Sequence, residues 1–342
     1  MNSLREQADV LAEAIVERIY ESQPQVWKPY GSVGRQKSVR DTHYHLEYLA
    51  EALEADAPEL FTSYLAWVKA LFVGLGFSDA VLPNTLKYTR LVLGERLPEE
   101  QRAPALQMID EGLRSLQDHS DALTSYISGN NPSDQLARRY LEALLIGDRQ
   151  SASQLILQAV GTGMPVKEVY LQIFQRTQHE IGRLWQVNQI SVAQEHYCTA
   201  ATQMIMSQLY PQIFAGAKNG HTLVATCVDG ELHEIGARMV ADLLELDGWD
   251  THFLGANTPT QSVLQMLAQR QAAILAISAT MTFHLDKVRE LIVETRQSGL
   301  KVHILVGGQP FNQVANLWQQ VGADGYAADA EQAVATADRL IT

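Results

Sequence analysis

The stretch HTLVATCVDGELHEIGARMVADLLELDG, residues 221–248, joins a short hydrophobic run to an amphipathic one. Its first eight residues are rich in β-branched side chains, which is typical of a buried strand. After the joint, the apolar residues recur at the spacing of an α-helix, and Gly248 follows as a stop signal. The joint itself carries Glu231, His233 and Gly236, although an ordinary turn needs only a glycine and a cap. The pattern therefore predicts a strand that delivers polar side chains to its carboxyl end.

The same alternation of strand and helix continues to the end of the chain. Four more strand-like segments follow, each separated from the next by a helix-like segment: DTHFLG, AAILAISAT, KVHILVGG and ADGYAA. Five strands alternating with five helices are typical of an open, doubly wound parallel sheet. The sequence predicts a Rossmann-like α/β domain over residues 218–342.

The chain before residue 218 is predicted to be helical. Residues 131–217 contain four helical segments, which predicts a four-helix bundle. Residues 1–130 form a further α-helical N-terminal module. Within that module we expect a loop at VWKPYGSVGRQK, residues 26–37, because the segment is rich in proline and glycine.

Composition limits the class of protein. The 342 residues carry a net charge of −13, whereas a surface that contacts nucleic-acid phosphates needs a basic footprint. No apolar run approaches the roughly 20 residues that span a bilayer, and the first residues lack a secretory pattern. Two cysteines, Cys198 and Cys227, provide neither a disulfide framework nor a zinc cluster. We expect a cytoplasmic protein with neither a membrane nor a nucleic acid as partner.

Polar and glycine residues recur at the predicted carboxyl ends of the strands, where a doubly wound sheet binds its ligands. In chain order these candidates are Glu231, His233, Gly236, Ser278, Thr280, Gly307, Gly308 and Tyr326. No G-x-G-x-x-G follows the first strand and no G-x-x-x-x-G-K-[ST] loop occurs, so a dinucleotide or P-loop site is disfavoured. A phospho-acceptor site could use Asp229 and Glu231, but it gives no role to His233.

The spacing E-L-H-E-I-G, followed by S-A-T and G-G, resembles the cobalamin-binding domain shared by methionine synthase, corrinoid carrier proteins and cobalamin-dependent photoreceptors. The resemblance covers residues 219–342 and implies that His233 ligates cobalt and displaces the benzimidazole base. It implies that Glu231, where the family usually has Asp, bonds the other imidazole nitrogen, as outer carboxylates do at metal sites. Gly236 would leave room for the nucleotide tail of the cofactor. The slot for that tail would be lined by Ser278, Thr280, Gly307 and Gly308.

The predicted bundle carries WQVNQISVAQEH, residues 185–196, which resembles the W-x9-E-H element of CarH-type adenosylcobalamin photoreceptors. The residues that the resemblance implies around the adenosyl group are Trp185, Val192, Glu195 and His196. The alternative is that they are ordinary bundle core and a solvated polar pair. CarH-type proteins have a histidine directly after the tryptophan, whereas this chain has Gln186. A different group would therefore take the upper face of the cobalt after illumination.

The segment RQKSVRDTHYHLEYLAEAL, residues 35–53, clusters cationic and aromatic side chains. It resembles the helical, globin-like module of photocobilins, which implies biliverdin as a second chromophore. The block has no cysteine, so the bilin would be bound non-covalently. The residues implied are Arg35, Arg40, His43, Tyr44 and His45. The alternative is an amphipathic sensor or dimerisation helix with solvated charges.

Two functions follow from these resemblances. The first is a light-sensing regulatory protein, in which loss of the adenosyl group changes conformation or assembly. This function implies a homo-oligomer with light-dependent assembly, and an unknown downstream protein. The alternative is a corrinoid carrier protein of a methyltransferase system. We expect no catalytic turnover in either case, because the remaining histidines lack partners at metal-ligand spacing. Most of them are expected at the surface; they are His119, His221, His252, His284 and His303.

Overall fold

The computed structural model describes residues 4–118 and 123–342. The chain folds into two compact units, Met1–Ala122 and Leu123–Thr342. No helix within the described ranges is both long enough and apolar enough to cross a bilayer. The predicted order of helical module, bundle and Rossmann-like sheet is confirmed. The two boundaries predicted between the three domains stay predictions. His119 lies outside the described residues.

The N-terminal unit is helical throughout its described residues. Its helices are α1 (Ala8–Ser22), α2 (Pro24–Trp27), α3 (Gly31–Glu54), α4 (Pro58–Gly74), α5 (Val81–Arg96) and α6 (Glu99–Asp118). The prediction of a loop at residues 26–37 is wrong. Proline is compatible with the first turn of a helix, so α2 begins at Pro24 and a short 3₁₀ turn contains Pro29. The chain changes direction only at Gly31, which has a φ of +61°.

The first half of the C-terminal unit is the predicted bundle. Its helices are α7 (Pro132–Leu145), α8 (Arg149–Gly161), α9 (Val166–Glu168), α10 (Gln175–Gln186), α11 (Val192–Ser207) and α12 (Tyr210–Ile213). A π-helical segment, Val169–Phe174, joins α9 to α10. Capping boxes begin α7, at Asn131, and α11, at Ser191.

The second half of the C-terminal unit is a five-stranded sheet. Its strands are β1 (Thr222–Cys227), β2 (Asp250–Phe253), β3 (Ile274–Ser278), β4 (His303–Gly307) and β5 (Gly325–Ala327). They lie in the order β2-β1-β3-β4-β5, and every neighbouring pair is parallel. The near-continuous burial of β1 and β3 follows from this arrangement, because helices cover both faces of a parallel sheet.

Helices connect successive strands on the two faces. They are α13 (Ile235–Leu246), α14 (Thr260–Arg270), α15 (Leu285–Gln297), α16 (Gln309–Gln313), α17 (Leu317–Gln320) and α18 (Ala330–Ile341). The single helix predicted before the last strand is wrong. It is divided into α16 and α17 because Val314 adopts an extended conformation between them.

The bundle shares a hydrophobic core with α13, the helix that follows β1. Met239 and Leu243 of α13 belong to the same buried cluster as Phe174 of the bundle. A buried polar contact joins the same elements, since the Tyr170 hydroxyl donates a hydrogen bond of 2.8 Å to Oδ2 of Asp242. Tyr170 lies in the π-helical segment, a rare geometry that often marks functional positions. The bundle is therefore anchored to the helix that follows β1.

Candidate functional site

The carboxyl ends of β1, β3 and β4 lie side by side at one edge of the sheet. Cys227 pairs in register with Ser278, and Ser278 pairs with Gly307. The loops that follow these three strands therefore meet at one place, as expected for the ligand-binding edge of a doubly wound sheet.

Glu231 lies in the loop after β1, and its side chain is fully buried. Its Oε1 accepts hydrogen bonds from the backbone N–H of His233 at 3.0 Å and from Nδ1 of His233 at 2.6 Å. Its Oε2 accepts hydrogen bonds from the backbone N–H groups of Thr280 at 2.8 Å and Met281 at 3.0 Å. One carboxylate thus ties the loop after β1 to the loop after β3.

His233 presents an imidazole whose two nitrogens differ in role. Nδ1 carries the proton, because the carboxylate of Glu231 can only accept a hydrogen bond. In the neutral form of the ring Nε2 therefore has the free lone pair, and the side chain is 59% exposed. The structure thus places at the sheet edge an accessible nitrogen donor of fixed tautomer, which is the chemistry that a single-histidine metal ligand needs.

Local charges stabilise this arrangement. Burial raises the pKa of Glu231, but hydrogen bonds from His233, His284 and the Met281 N–H outweigh it and hold that pKa well below its usual range. The hydrogen bond that His233 donates to Glu231 raises the pKa of His233; burial opposes this rise, and the charges of Glu231 and Glu195 support it. Glu231 is therefore ionised at neutral pH and available as an acceptor.

His284 is a member of the site that the sequence did not reveal. Its Nδ1 lies 3.0 Å from Oε2 of Glu231, and its side chain is only 14% exposed. The expectation of a surface position is wrong, because the 3₁₀ turn Thr282–His284 folds the imidazole back toward the loop after β1. A histidine 51 positions after His233 has no spacing signal. Only the fold brings the two together.

Glycines shape the space around these side chains. Gly308 has a φ of +111°, and a Cβ there would lie 2.0 Å from the carbonyl oxygen of Ala279. Only glycine therefore lets the end of β4 approach the loop after β3. Gly236 lies in the first turn of α13, and a Cβ at this position would meet no atom within 4 Å, so open space lies beside it. Ser278 and Thr280 are half-buried beside Gly307.

Tyr326 lies in β5, next to β4 in the sheet. Its hydroxyl donates a hydrogen bond of 2.7 Å to Oδ1 of Asn312 in α16. Asn312 in turn donates to the carbonyl oxygen of Ala328 at 3.2 Å. The Tyr326 hydroxyl is therefore bonded within the chain. Tyr326 lies at the same edge of the sheet as Gly307, because the next residue, Ala327, pairs in register with Gly307.

The predicted upper-face residues lie around the turn between α10 and α11. Trp185 is half-buried near the end of α10, and Val192, at the start of α11, is 52% exposed. Glu195 and His196 hydrogen-bond to each other, and the His196 side chain is 74% exposed. The charge of Glu195 acts on His233, which places this end of α11 within electrostatic reach of the imidazole.

Further along α11, a polar chain connects the bundle to the loop after β1. Gln203 donates a hydrogen bond of 2.7 Å to Oε1 of Glu234, which follows His233 directly. The other oxygen of Glu234 accepts from the backbone N–H of Ala256, after β2, at 2.9 Å. The bundle therefore lies over the loop that carries His233.

Two of the five residues predicted to hold a bilin reach toward α1. Nη2 of Arg35 lies 2.8 Å from Oε2 of Glu13, and Nδ1 of His43 lies 2.9 Å from Oδ1 of Asp9. Both side chains are therefore engaged by carboxylates of α1 at the surface of the N-terminal unit.

The other three point elsewhere. His45 is buried, and its Nδ1 lies 2.7 Å from the hydroxyl of Tyr64, which stacks on Tyr48 at 3.6 Å between ring centroids. Arg40 is 65% exposed and Tyr44 is 41% exposed. The five residues do not converge on one cavity, and the bilin site stays a prediction.

The residues at the sheet edge fit a corrinoid that is ligated by protein. His233 supplies one neutral nitrogen, Glu231 fixes its tautomer, and Gly236 borders open space. Gly308 permits a close passage of backbone that a side chain would block. The charge of Glu195, in the first turn of α11, acts on His233. This fold and this donor set define a cobalamin-binding class of protein.

Known proteins support this assignment. The B12 binding domain family matches residues 221–335, and a second family, also described as B12 binding domain, matches residues 136–210. The dimethylamine corrinoid protein of Methanosarcina barkeri is 33% identical over 139 residues, which are 40% of this chain and 63% of that relative. Dimethylamine corrinoid protein 1 of Methanosarcina acetivorans is 30% identical over 171 residues, which are 48% of this chain and 78% of that relative.

Solved structures agree with the fold. The monomethylamine corrinoid protein of Methanosarcina barkeri matches with a TM-score of 0.55 and 20% identity, over 61% of this chain and 99% of that chain. The chain belongs to the family of cobalamin-binding corrinoid proteins. The predicted cobalamin cofactor is confirmed at this level, whereas these relatives do not support the finer identification as a photoreceptor.

Proposed function

We propose that this chain is a corrinoid carrier protein that presents a cobalt-bound methyl group to methyltransferase partners. The observation that carries the proposal is the likeness of the bundle and sheet to dimethylamine corrinoid proteins, together with the exposed His233. When bound, cobalamin supplies a cobalt that accepts and releases methyl groups. The chain then acts as a carrier and has no turnover of its own.

In this function the sheet edge holds the lower face of the cofactor. His233 coordinates through Nε2, and Glu231 keeps the proton on Nδ1. The negative charge of Glu231 also makes the imidazole a stronger donor, as carboxylates do for metal-bound histidines. The open space beside Gly236 accommodates the displaced nucleotide tail.

The bundle governs access to the upper face. Its end at Glu195 lies within electrostatic reach of His233, and Tyr170 anchors the bundle to Asp242 of α13. A methyl group is small, so a carrier needs this cover to keep water away between partners and to move aside when a partner binds.

A second candidate is the adenosylcobalamin light sensor. The specific observation in its favour is a group of bulky and polar side chains at the end of the bundle: Trp185, Val192, Glu195 and His196. A further helical unit, Met1–Ala122, lies outside both B12 binding domain matches and could receive a signal. This candidate includes light-dependent assembly and biliverdin as a second chromophore.

One experiment separates the candidates. The full chain is reconstituted in the dark with methylcobalamin or with adenosylcobalamin, and absorption and gel filtration are recorded before and after green light. The carrier predicts retention of methylcobalamin and an elution volume that light does not change. Preferred retention of adenosylcobalamin with a light-dependent change of size would overturn the carrier and support the sensor.

A matched pair of variants sharpens the result. Trp185→Ala should lower adenosylcobalamin affinity much more than methylcobalamin affinity if the tryptophan covers an adenosyl group. Trp318→Ala, in α17, is the control for loss of a tryptophan away from the bundle. Equal loss of both cofactors in Trp185→Ala would instead indicate general cover of the upper face.

A further inference from the structure

Three charged residues of α13 lie on one face of the helix and bond to the bundle. They are Glu234, at the N-terminus of the helix, Arg238 and Asp242. Residues four positions apart are neighbours on a helix surface, so the three form a stripe of alternating charge about 12 Å long. This α13 polar stripe begins directly after His233 and leads away from the site.

The end of the stripe beside His233 is accessible to water. Gln203 of α11 donates a hydrogen bond of 2.7 Å to Oε1 of Glu234, and both residues are half-buried. The next bond along the stripe runs from Nη2 of Arg238 to Oγ of the exposed Ser207, at 2.8 Å. Because water can replace both partners when the helices separate, each of these contacts opens at a modest cost.

The far end of the stripe is closed to water. The Tyr170 hydroxyl donates a hydrogen bond of 2.8 Å to Oδ2 of Asp242, and both residues are buried. Met239 and Leu243, on either side of Asp242 in α13, belong to the buried core of the bundle. Separation at this end would expose apolar side chains and take a donor from a buried carboxylate, which costs more than the loss of a solvated contact.

We propose that the bundle opens as a flap that pivots at Asp242 and is latched at Glu234 by Gln203. This inference rests on the proposed function, in which the bundle moves aside from the site. The second oxygen of Glu234 accepts from the backbone N–H of Ala256, after β2, at 2.9 Å. The sheet loops therefore hold Glu234 whether or not Gln203 is bonded, and opening leaves the loop that carries His233 in place.

Distances between two spin labels measure the opening in the full chain without cofactor. The labels are attached at Ala193→Cys, in the first turn of α11, and Ser262→Cys, in the first turn of α14, both at exposed positions. Gln203→Met removes the latch and should add a population at longer distances. Gln208→Met is the matched control, because Gln208 lies just after the same helix but accepts its hydrogen bond from Ser153 inside the bundle, at 2.6 Å.

The rates of methylcobalamin binding provide a second readout. The cofactor enters and leaves through the same opening, so loss of the latch should raise the association and dissociation rate constants together. We expect both to rise by roughly tenfold in Gln203→Met, as for the loss of one hydrogen bond, with nearly unchanged affinity. A side chain that contacts the cofactor would instead change mainly the dissociation rate. Glu234→Gln keeps the length of the side chain and can keep both hydrogen bonds, so it should keep the wild-type rates.

The outcomes separate the latch, the pivot and the carrier. Wild-type distances in Gln203→Met, or the same change in Gln208→Met, would overturn the latch, as would faster dissociation alone. A larger open population in Tyr170→Phe than in Gln203→Met would overturn the pivot, and Asp242→Asn replaces Tyr170→Phe if that variant does not fold. The distances are measured without cofactor and do not depend on the carrier proposal, which fails instead if the chain retains adenosylcobalamin in preference to methylcobalamin.

Discussion

His233 at the sheet edge and His45 in the N-terminal unit are both held through Nδ1, but by different partners. Nδ1 of His233 lies 2.6 Å from a carboxylate oxygen of Glu231, and the ring is 59% exposed. Nδ1 of His45 lies 2.7 Å from the hydroxyl of Tyr64, and the residue is only 4% exposed. The partner raises the pKa of the first imidazole, and burial lowers the pKa of the second to about 4.

The difference teaches what makes a histidine available to a ligand. A charged acceptor on one nitrogen and exposure on the other produce a metal donor. A neutral partner and full burial produce a core residue that stays uncharged. Sequence shows the same residue type in both places, so the surroundings decide the role.

The two regions should respond most differently to added side-chain volume. Gly308→Ala places a Cβ 2.0 Å from the carbonyl oxygen of Ala279 at a φ of +111°, and we expect it to lower the free energy of unfolding by more than about 3 kcal/mol. Gly94→Ala, in α5, meets Leu106 at an ordinary 3.8 Å and should be neutral or stabilising. Urea unfolding of both variants checks this. Equal losses would contradict the view that the sheet edge depends on close backbone approach.

Acid should destabilise the helical unit through His45. Its pKa is about 4 in the folded protein, below the ordinary histidine value of 6.5, so the unfolded chain binds the extra proton first. The stabilisation is fully present above pH 6.5 and is lost as the pH falls through 4, which amounts to roughly 3 kcal/mol. Urea unfolding at pH 7 and pH 4.5 measures it, and His45→Phe is the comparison. A wild-type pH slope that persists in His45→Phe would assign the effect to other groups.

Removing the exposed imidazole should lower the affinity for cobalamin and leave the stability of the apo-protein unchanged. His233→Ala deletes the proposed cobalt donor, and we expect cobalamin affinity to fall by on the order of 100-fold, about 2.7 kcal/mol. Titration of apo-protein with methylcobalamin gives the affinity, and thermal unfolding of the apo-protein is the control. His45→Phe, by contrast, should change stability and leave the affinity alone. The reverse pattern would exchange the roles assigned to the two histidines.

We expect the smallest effect at Gly236, where one substitution should raise stability and weaken cobalamin binding. Gly236→Ala adds a methyl group where no atom lies within 4 Å, in the first turn of α13. Alanine should stabilise the helix by up to about 1 kcal/mol, because glycine has the lower helix propensity. The same methyl group occupies the space proposed for the nucleotide tail and should weaken cobalamin binding. Unchanged affinity would remove Gly236 from the site.

Local patterns were enough to predict the sheet and the first part of the site. A strand followed by a helix, repeated along residues 221–342, predicts parallel strands whose carboxyl ends meet. Glu231 and His233 were candidates because they follow the first strand, and the resemblance to the cobalamin-binding domain implied their pairing. Their hydrogen bond spans two residues and needs little help from the rest of the fold.

Local patterns do not show which residues meet when the partners are distant in sequence. His284 reaches Glu231 across 53 positions, and no spacing rule connects them. Arg35, His43 and His45 look like one cluster in sequence, but helical geometry directs Arg35 and His43 toward α1 and His45 into the core. Residues a few positions apart on a helix point in directions that differ by about 100° per residue.

The amino-acid sequence by itself determined the fold class, the order of helical module, bundle and sheet, and the pairing of Glu231 with His233. These features depend on periodicity and on contacts between near neighbours in the chain. The tertiary structure alone decided that residues 31–37 are helical, that Glu231 serves two histidines, and that the charge of Glu195 on α11 acts on His233. Each of these depends on segments far apart in sequence, which only packing of the core brings together.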